Sequence, residues 1–215
     1  MSAITGVMQD YLKAIYKLQQ GRTAVSTSEI AERLDVSAAS ATNMVKRLAR
    51  LRLVAYSRYQ GFLLTPAGEK IALEIIRHHR LIELYLARQL GVPLDQVHGE
   101  AERMEHVLSE GVEARMATAL GDPVQDPHGD PIPSMDGSMR DVRYPRLETL
   151  APGARGVVAH VGDESPALLR QLARLGVLPG VVLKMLGRRR SGCEVEVGGR
   201  RITLSHTMSA NVHVQ

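Results

Sequence analysis

The chain has 215 residues and a net charge of +4, enough sequence for two or three domains. Its single cysteine excludes a disulfide framework and a thiolate metal cluster, and no signal-like or membrane-spanning apolar run is evident, so we expect a cytoplasmic protein. Residues 1–60 contain nine Lys or Arg against four Asp or Glu, whereas residues 61–140 contain seven against thirteen, with five of the eight histidines. A basic head favours a polyanionic partner, and an acidic, histidine-containing middle favours a cation site.

The first 65 residues carry alternating signals for helices, caps and a turn. Apolar residues recur at helical spacing, Gly21 ends the first helix, and Ser37 is placed to cap the third, whose predicted buried stripe is Val45, Leu48 and Leu51. The predicted elements are helices over residues 5–20, 27–34 and Ala38 to about Leu51, then hairpin strands Leu53–Tyr56 and Phe62–Thr65. This order predicts a winged helix-turn-helix DNA-binding domain over residues 1–65.

The remaining chain predicts a helical segment followed by a small β domain, which gives an α+β fold class. One helix is expected from Pro66 to about Leu90 and another from Pro93 to about Leu120, followed by a Pro-, Asp- and Gly-rich loop to residue 145. We therefore expect a helical domain over residues 66–145 and a small barrel over 146–215. The barrel's predicted elements are strands Arg155–His160, Val181–Leu186, Glu194–Val197 and Ile202–Leu204, with a helix at Pro166–Leu175.

The third predicted helix has the composition of a DNA-recognition helix. Small residues at its start would let its N-terminus enter a major groove, Ser and Asn can bond base edges, and Lys and Arg can meet phosphates. Arg58 at the hairpin tip would contact a phosphate or the minor groove. The candidate DNA-binding residues are Ser37, Ala39, Ser40, Thr42, Asn43, Lys46, Arg47, Arg50 and Arg58. An ordinary solvated helix face is the alternative.

Acidic and histidine side chains recur at helical spacing in three predicted helices. His79 and Glu83 are four residues apart, and His98 lies one turn before Glu102. Glu102, Glu105 and His106 are spaced i, i+3, i+4, and Asp10 adds a carboxylate from the first helix. Such a set suits a divalent ion with five or six ligands, although each residue alone also fits a surface pair or a favourable helix-end charge.

Three segments, His79–Glu83, Val97–Val107 and Pro127–Pro133, resemble the diphtheria-toxin-repressor family of metal-dependent transcriptional regulators. The resemblance covers essentially the whole chain and follows the family's order of motifs. It implies a winged-helix head, dimerisation helices and a C-terminal SH3-like domain similar to the ferrous-transport A module.

The resemblance also assigns metal ligands by position. It implies a primary, activating site of Asp10, Glu102, Glu105 and His106, and an ancillary site of His79, Glu83 and His98, with Asp163 and Glu164 as further candidates from the SH3-like domain. Asp10 and Glu102 stand where the iron branch has Met and Cys, as in the manganese branch, whose other acidic residue on helix 1 is replaced here by Lys13. Carboxylates are hard ligands, so we expect Mn(II), with Fe(II) second, and Zn(II), Co(II), Ni(II) or Cd(II) as substitutes in vitro.

The function implied is repression of metal-uptake genes by a homodimer on a double-stranded operator with palindromic half-sites, without membrane or small organic substrate. An ion bound by Asp10 and by the ligands of the helix predicted from Pro93 to about Leu120 would fix the angle between head and dimer core. Dimerisation is expected through an apolar stripe that could instead form an internal core: Val97, Ala101, Met104, Leu108, Val112 and Met116 or Leu120. Alternatives are an Fe(II)-responsive regulator, a helical di-metal enzyme, for which no catalytic motif appears, and a winged-helix regulator of an organic ligand.

Overall fold

A computed structural model describes residues 4–22, 24–57, 61–140, 142–162 and 165–215. These residues form two compact units. The first comprises the chain up to His78 together with Glu105–Val107 and Pro133–Met139, and the second comprises His79–Met104, Leu108–Ile132 and Arg140–Gln215. Arg58, Asp163 and Glu164, predicted as site residues, lie outside the described residues.

The first unit has the predicted winged helix-turn-helix order. Its elements are α1 (Gly6–Gln19), α2 (Thr27–Arg33), α3 (Ala38–Arg50), strands β1 (Val54–Ser57) and β2 (Gly61–Leu64), and the start of α4 (Pro66–Leu90). Ser26 and Glu29 form a reciprocal capping box on α2, and the Ser37 hydroxyl accepts from the Ser40 N–H to cap α3. Leu12, Ile30 and Phe62 lie in one core that holds the helices against the hairpin.

The buried stripe of α3 differs from its prediction at one end. Val45 and Leu48 are buried, but Leu51 is 36% exposed because the helix ends at Arg50. Ala41, one turn before Val45, is buried instead.

The predicted single helix from Pro93 to Leu120 is wrong, because two helices, α5 (Leu94–Met104) and α6 (Glu110–Ala119), occupy that range. Ser109 is in extended backbone, and its hydroxyl accepts from the Val112 N–H to cap α6. Glu105 and His106 lie in the turn between the helices, so helical i+3 and i+4 spacing does not describe them.

The break also divides the stripe expected to mediate dimerisation. Val97 and Ala101 on α5 are buried with Ile82 and Leu86 of α4. Met104 and Val112 are 39% and 49% exposed. The buried part therefore belongs to an internal core, and the exposed part remains available for the predicted dimer contact.

The C-terminal part of the second unit is a five-stranded antiparallel sheet in the order β6–β5–β4–β3–β7. Its elements are β3 (Arg155–Val161), α7 (Pro166–Leu175), β4 (Val182–Arg189), β5 (Gly192–Val197), β6 (Arg200–Ser205), α8 (His206–Ala210) and β7 (Val212–Val214). The predicted strands and α7 are confirmed, whereas α8 and β7 were not predicted. Among the described residues, no helix is long and apolar enough to cross a bilayer.

Candidate metal centres and DNA-reading helix

Asp10, Glu105 and His106 form a cluster in the first unit, here called the primary cluster. Asp10 lies on α1, whereas Glu105 and His106 come from the turn after α5. His106 Nε2 lies 2.9 Å from Asp10 Oδ1 and 3.6 Å from Glu105 Oε1. One ligand atom from each residue therefore falls within a sphere that one ion could fill.

Neighbouring groups orient both ligands from the turn. His106 Nδ1 lies 2.8 Å from Gln9 Oε1, so Nδ1–H donates to the amide and the Nε2 lone pair faces the carboxylates. The ring packs directly on Gly6, where an added Cβ would lie 3.2 Å from it. His78 Nδ1 donates to the Glu105 carbonyl at 3.1 Å, which fixes the backbone of the turn.

Lys13 places an ammonium group inside the primary cluster. Its Nζ donates to Glu105 Oε1 at 2.5 Å, and both side chains are buried, at 10% and 0% exposure. Lys13 follows Asp10 by three residues, so both lie on one face of α1. Glu105 is thus neutralised by a residue of the chain itself, and a metal ion at Glu105 must compete with that ammonium.

His79, Glu83 and His98 form a second cluster in the second unit, here called the ancillary cluster. Glu83 Oε1 lies 3.0 Å from His79 Nε2 and 3.1 Å from His98 Nδ1, and the two imidazole nitrogens are 3.0 Å apart. Burial alone would raise the pKa of Glu83, but hydrogen bonds from His79 and His98 outweigh it and hold the pKa well below its usual value. Glu83 is therefore a carboxylate.

His128, which lies in the Pro127–Pro133 segment and was not predicted as a ligand, adds a third imidazole. It is fully buried, with Nε2 3.7 Å from Glu83 Oε1. A turn positions it: Asp126 Oδ1 accepts from the N–H groups of His128 and Asp130, both at 2.9 Å. Gly129 has φ +97°, and an added Cβ would lie 2.0 Å from the Ala159 carbonyl oxygen. In the sequence, the position of His128 between Pro127 and Gly129, with an aspartate on either side, could have indicated it as a candidate ligand.

Glu102, assigned to the primary site by resemblance, lies in the second unit on α5. Its Oε1 is 3.7 Å from His98 Nε2 and 4.0 Å from His79 Nδ1, and the side chain is 41% exposed. These contacts place it beside the ancillary imidazoles. Its role as a primary ligand remains a prediction.

Both donor sets fit a divalent cation. In the ancillary cluster, Glu83 Oε2 is buried and makes no hydrogen bond within the described part of the chain, an arrangement that a cation would satisfy. The primary cluster offers two carboxylates and one imidazole, a predominantly hard set, whereas the ancillary cluster is rich in imidazole and accepts later transition ions more readily. The two clusters therefore differ in chemistry as well as in position.

The predicted recognition helix exposes one polar face. Ser37, Ala39, Ser40, Asn43, Lys46 and Arg50 are exposed, and Thr42 and Arg47 are partly buried. Some of the small polar groups are engaged locally, since Ser37 and Ser40 hydroxyls lie 2.8 Å apart and Thr42 donates to the Ala38 carbonyl. The groups best placed for a nucleic acid are therefore Asn43, Lys46 and Arg50.

An open groove of about 710 Å³ runs along this face, lined by Asn43, Lys46, Ala49, Arg50 and Tyr56. Tyr56, on β1, is 61% exposed and was not predicted as a site residue. Its ring and phenol sit beside the two cations, which suits contact with a sugar or phosphate.

Comparison with known proteins matches three consecutive stretches of the chain to described families. Residues 3–62 match the N-terminal DNA-binding domain of iron-dependent repressors, residues 65–134 their metal-binding and dimerisation domain, and residues 146–215 the FeoA domain. The iron-dependent repressor IdeR of Mycobacterium leprae is 31% identical over 100% of this chain and 99% of its own length. The chain belongs to the iron-dependent repressor family.

Other members of the family are similar to this chain over nearly its whole length. The diphtheria toxin repressor of Corynebacterium diphtheriae is 31% identical over 96% of this chain and 91% of its own. A manganese-dependent transcriptional repressor, solved in complex with manganese, is 37% identical and superposes with a TM-score of 0.85 over 96% of this chain and 98% of its own. The chain is therefore a metal-dependent, DNA-binding transcriptional repressor and not an enzyme.

Proposed function

We propose that this iron-dependent repressor family member is activated by Mn(II) and represses metal-uptake genes in the cytoplasm, as a homodimer on palindromic half-sites. The observation that carries the choice of metal is the primary cluster, in which Asp10 and Glu105 supply carboxylate oxygens beside His106. Such hard donors suit Mn(II) among the ions of the series. Because Mn(II) binds most weakly in that series, selection must also rest on coordination geometry and on availability in the cell.

Fe(II) is the second candidate, and an observation favours it as well. The 31% identical repressor of Mycobacterium leprae is named as iron-dependent, whereas the 37% identical structural neighbour was solved with manganese. Zn(II), Co(II), Ni(II) and Cd(II) are expected to substitute in vitro. The metal comparison therefore has to be made on the protein itself.

Activation would act through the contact between α1 and the turn after α5. Asp10 belongs to the helix that shares a core with α2 and α3, and Glu105 and His106 belong to the turn. An ion held by all three would tie this turn to the DNA-binding head. A metal that binds one arrangement of these parts more tightly shifts the population toward it. In a dimer, that shift sets the spacing of two recognition helices.

The decisive experiment is a mobility shift on promoter DNA with chelator, Mn(II), anaerobic Fe(II) and Zn(II). We expect chelator to abolish the shift. For each metal, the free concentration that restores the shift is compared with the free concentration of that metal in the cell, and we expect this ratio to be lowest for Mn(II). Glu102→Ala tests the primary role assigned to Glu102, with Glu100→Ala as control. Glu100 lies two residues earlier on α5 and pairs with Arg103 on the surface. Binding that ignored chelator would refute metal activation.

The DNA-reading face has its own test, because contacts to phosphates weaken binding on all sequences. Lys46→Ala and Arg50→Ala are expected to reduce operator and nonspecific affinity alike, and each to lower the slope of log K against log salt by about 1. An unchanged slope would remove these residues from the interface. Arg170→Ala, on the exposed face of α7, is the control.

A further inference from the structure

His160 and His213 form a third imidazole cluster, which shares no residue with the two described above. They face each other across the antiparallel pair β3–β7, where His160 is directly opposite His213 in the register. Opposed residues of an antiparallel pair project from the same face of the sheet, so the two rings meet. Their ring centroids are 5.1 Å apart, and the two Nδ1 atoms are 3.1 Å apart.

A carboxylate fixes the orientation of the His160 ring. Asp130 Oδ2 lies 3.2 Å from His160 Nε2, and its other oxygen, Oδ1, lies 3.3 Å from Arg80 Nη2. Because a carboxylate accepts, His160 Nε2 carries the proton. In the neutral ring, the Nδ1 lone pair is then directed at His213. A histidine held from behind by a carboxylate in this way is the usual arrangement for an imidazole that binds a metal.

The distance between the nitrogens agrees with shared coordination. Metal–imidazole bonds of about 2.0–2.1 Å at angles between 90° and tetrahedral place two nitrogens roughly 2.8–3.4 Å apart. In the ancillary cluster of the same unit, His79 Nε2 and His98 Nδ1 are 3.0 Å apart, which is nearly the same spacing. Burial and the charges of His160 and Arg146 lower the pKa of His213, so its neutral, ligating form is favoured.

The pair is also accessible to an ion from solvent. Both rings, with Asp130, line an open cavity of about 360 Å³, and His160 and Asp130 are 22% and 24% exposed. The cavity leaves room for water ligands. Two imidazoles with water favour later first-row ions over Mn(II), which lies at the weak end of the series.

We propose that His160 and His213 form a third metal site that takes a later first-row divalent ion such as Zn(II), with Asp130 as the residue that orients His160. An ion there would join the last strand, β7, to β3. The proposal is independent of activation by Mn(II), and His213→Gln is expected to leave Mn(II)-dependent operator binding unchanged.

The test is the metal content of the full chain after equilibrium dialysis against buffered Zn(II) and, separately, Mn(II). The wild-type chain is expected to hold one more Zn(II) than Mn(II), and His213→Gln to lose that extra ion. Asp130→Asn is expected to weaken it by about tenfold. His206→Gln is the control, because His206 is an exposed histidine on α8 that bonds the Arg190 carbonyl. Unchanged Zn(II) content in His213→Gln would overturn the site.

A second measurement needs no variant and so does not depend on how His213→Gln folds. The ring nitrogens of the wild-type chain are followed by ¹⁵N NMR while Zn(II) is added. Coordination is expected to move the Nδ1 resonances of both His160 and His213. If both stay in place while Zn(II) saturates the chain, the two rings are only a hydrogen-bonded pair, with His213 Nδ1–H donating to His160.

Discussion

The primary and ancillary clusters use the same residue types but balance their buried carboxylates differently. Glu105 is fully buried and bonded to the Lys13 ammonium, whereas Glu83, equally buried, is bonded to imidazoles and keeps one oxygen without a hydrogen bond within the described residues. An ion entering the primary cluster must compete with the Lys13 ammonium for Glu105, although not for Asp10. An ion entering the ancillary cluster meets a carboxylate that still lacks a cation.

Because of this difference, the two clusters are expected to bind metal at different concentrations. We expect the ancillary cluster to fill at lower metal concentration, because the buried Glu83 Oε2 has no hydrogen bond within the described residues that an ion would have to displace. The primary cluster is expected to bind metal only at higher concentration, since the ion must displace the Lys13 ammonium from Glu105.

Glu105→Gln is expected to have the largest effect. It removes a carboxylate donor and leaves the Lys13 ammonium buried without its anion, a change that typically costs about 3–5 kcal/mol of stability. Operator affinity in Mn(II) is expected to fall about 100-fold or more, as measured by mobility shift.

The double variant Lys13→Met/Glu105→Gln separates folding from metal binding. It is expected to regain stability in urea unfolding, because neither charge is then buried, yet to remain unresponsive to Mn(II). Recovery of the metal response in the double variant would show that Glu105 serves only as the partner of Lys13.

Glu83→Gln is expected to have a smaller effect on DNA binding. It keeps one acceptor oxygen for His79 and His98 but removes the negative charge and the second carboxylate oxygen, so we expect one fewer bound ion per chain and about tenfold weaker operator affinity at saturating Mn(II). Glu74→Gln, an exposed acid on the same helix, is the control. An equal loss from Glu83→Gln and Glu105→Gln would remove the distinction between the two clusters.

Much of this fold could be predicted from the sequence because local signals decide it. The helix boundaries at Ser37 and Pro66 follow from capping and from proline at a first turn, and they are observed as predicted. The strands of the β domain were predicted from alternating patterns, whereas the five-residue α8 and three-residue β7 are too short to show a period.

The candidate sites could be predicted only in part, because their assembly is tertiary. Helical spacing suggested one face for Glu102, Glu105 and His106, but the break before the Ser109 cap puts the last two in a turn. His128 reaches Glu83 across 45 residues of chain through the Asp126 turn. Nor could the sequence show that Lys13 is bonded to a residue 92 positions away.

Lys13→Met is expected to shift the response in the opposite direction. Without the ammonium, Glu105 is buried without a cation, so the metal-free chain should lose about 3–5 kcal/mol of stability, as expected for breaking a buried ion pair from either side. Mn(II) would then restore it, and half-maximal operator binding is expected at about fivefold lower Mn(II), equivalent to about 1 kcal/mol. Lys17→Met, an exposed lysine one turn later on α1, is the control. A weaker Mn(II) response in Lys13→Met would mean that Lys13 supports the metal rather than competing with it.

Asp126→Ala should change operator binding least, because it acts on the ancillary cluster only through the position of His128. Burial raises the pKa of Asp126 well above its usual value, so an amide can replace the acid, and Asp126→Asn is expected to behave as wild type. Asp126→Ala leaves the N–H groups of His128 and Asp130 without their acceptor and should cost about 1–2 kcal/mol in urea unfolding. Ion affinity of the ancillary cluster, measured by calorimetry, is expected to fall severalfold and operator affinity about twofold, consistent with weak coupling. A calorimetric profile identical in the two variants would show that His128 is not held in place for an ion, and the ancillary cluster would then reduce to the residues on α4 and α5.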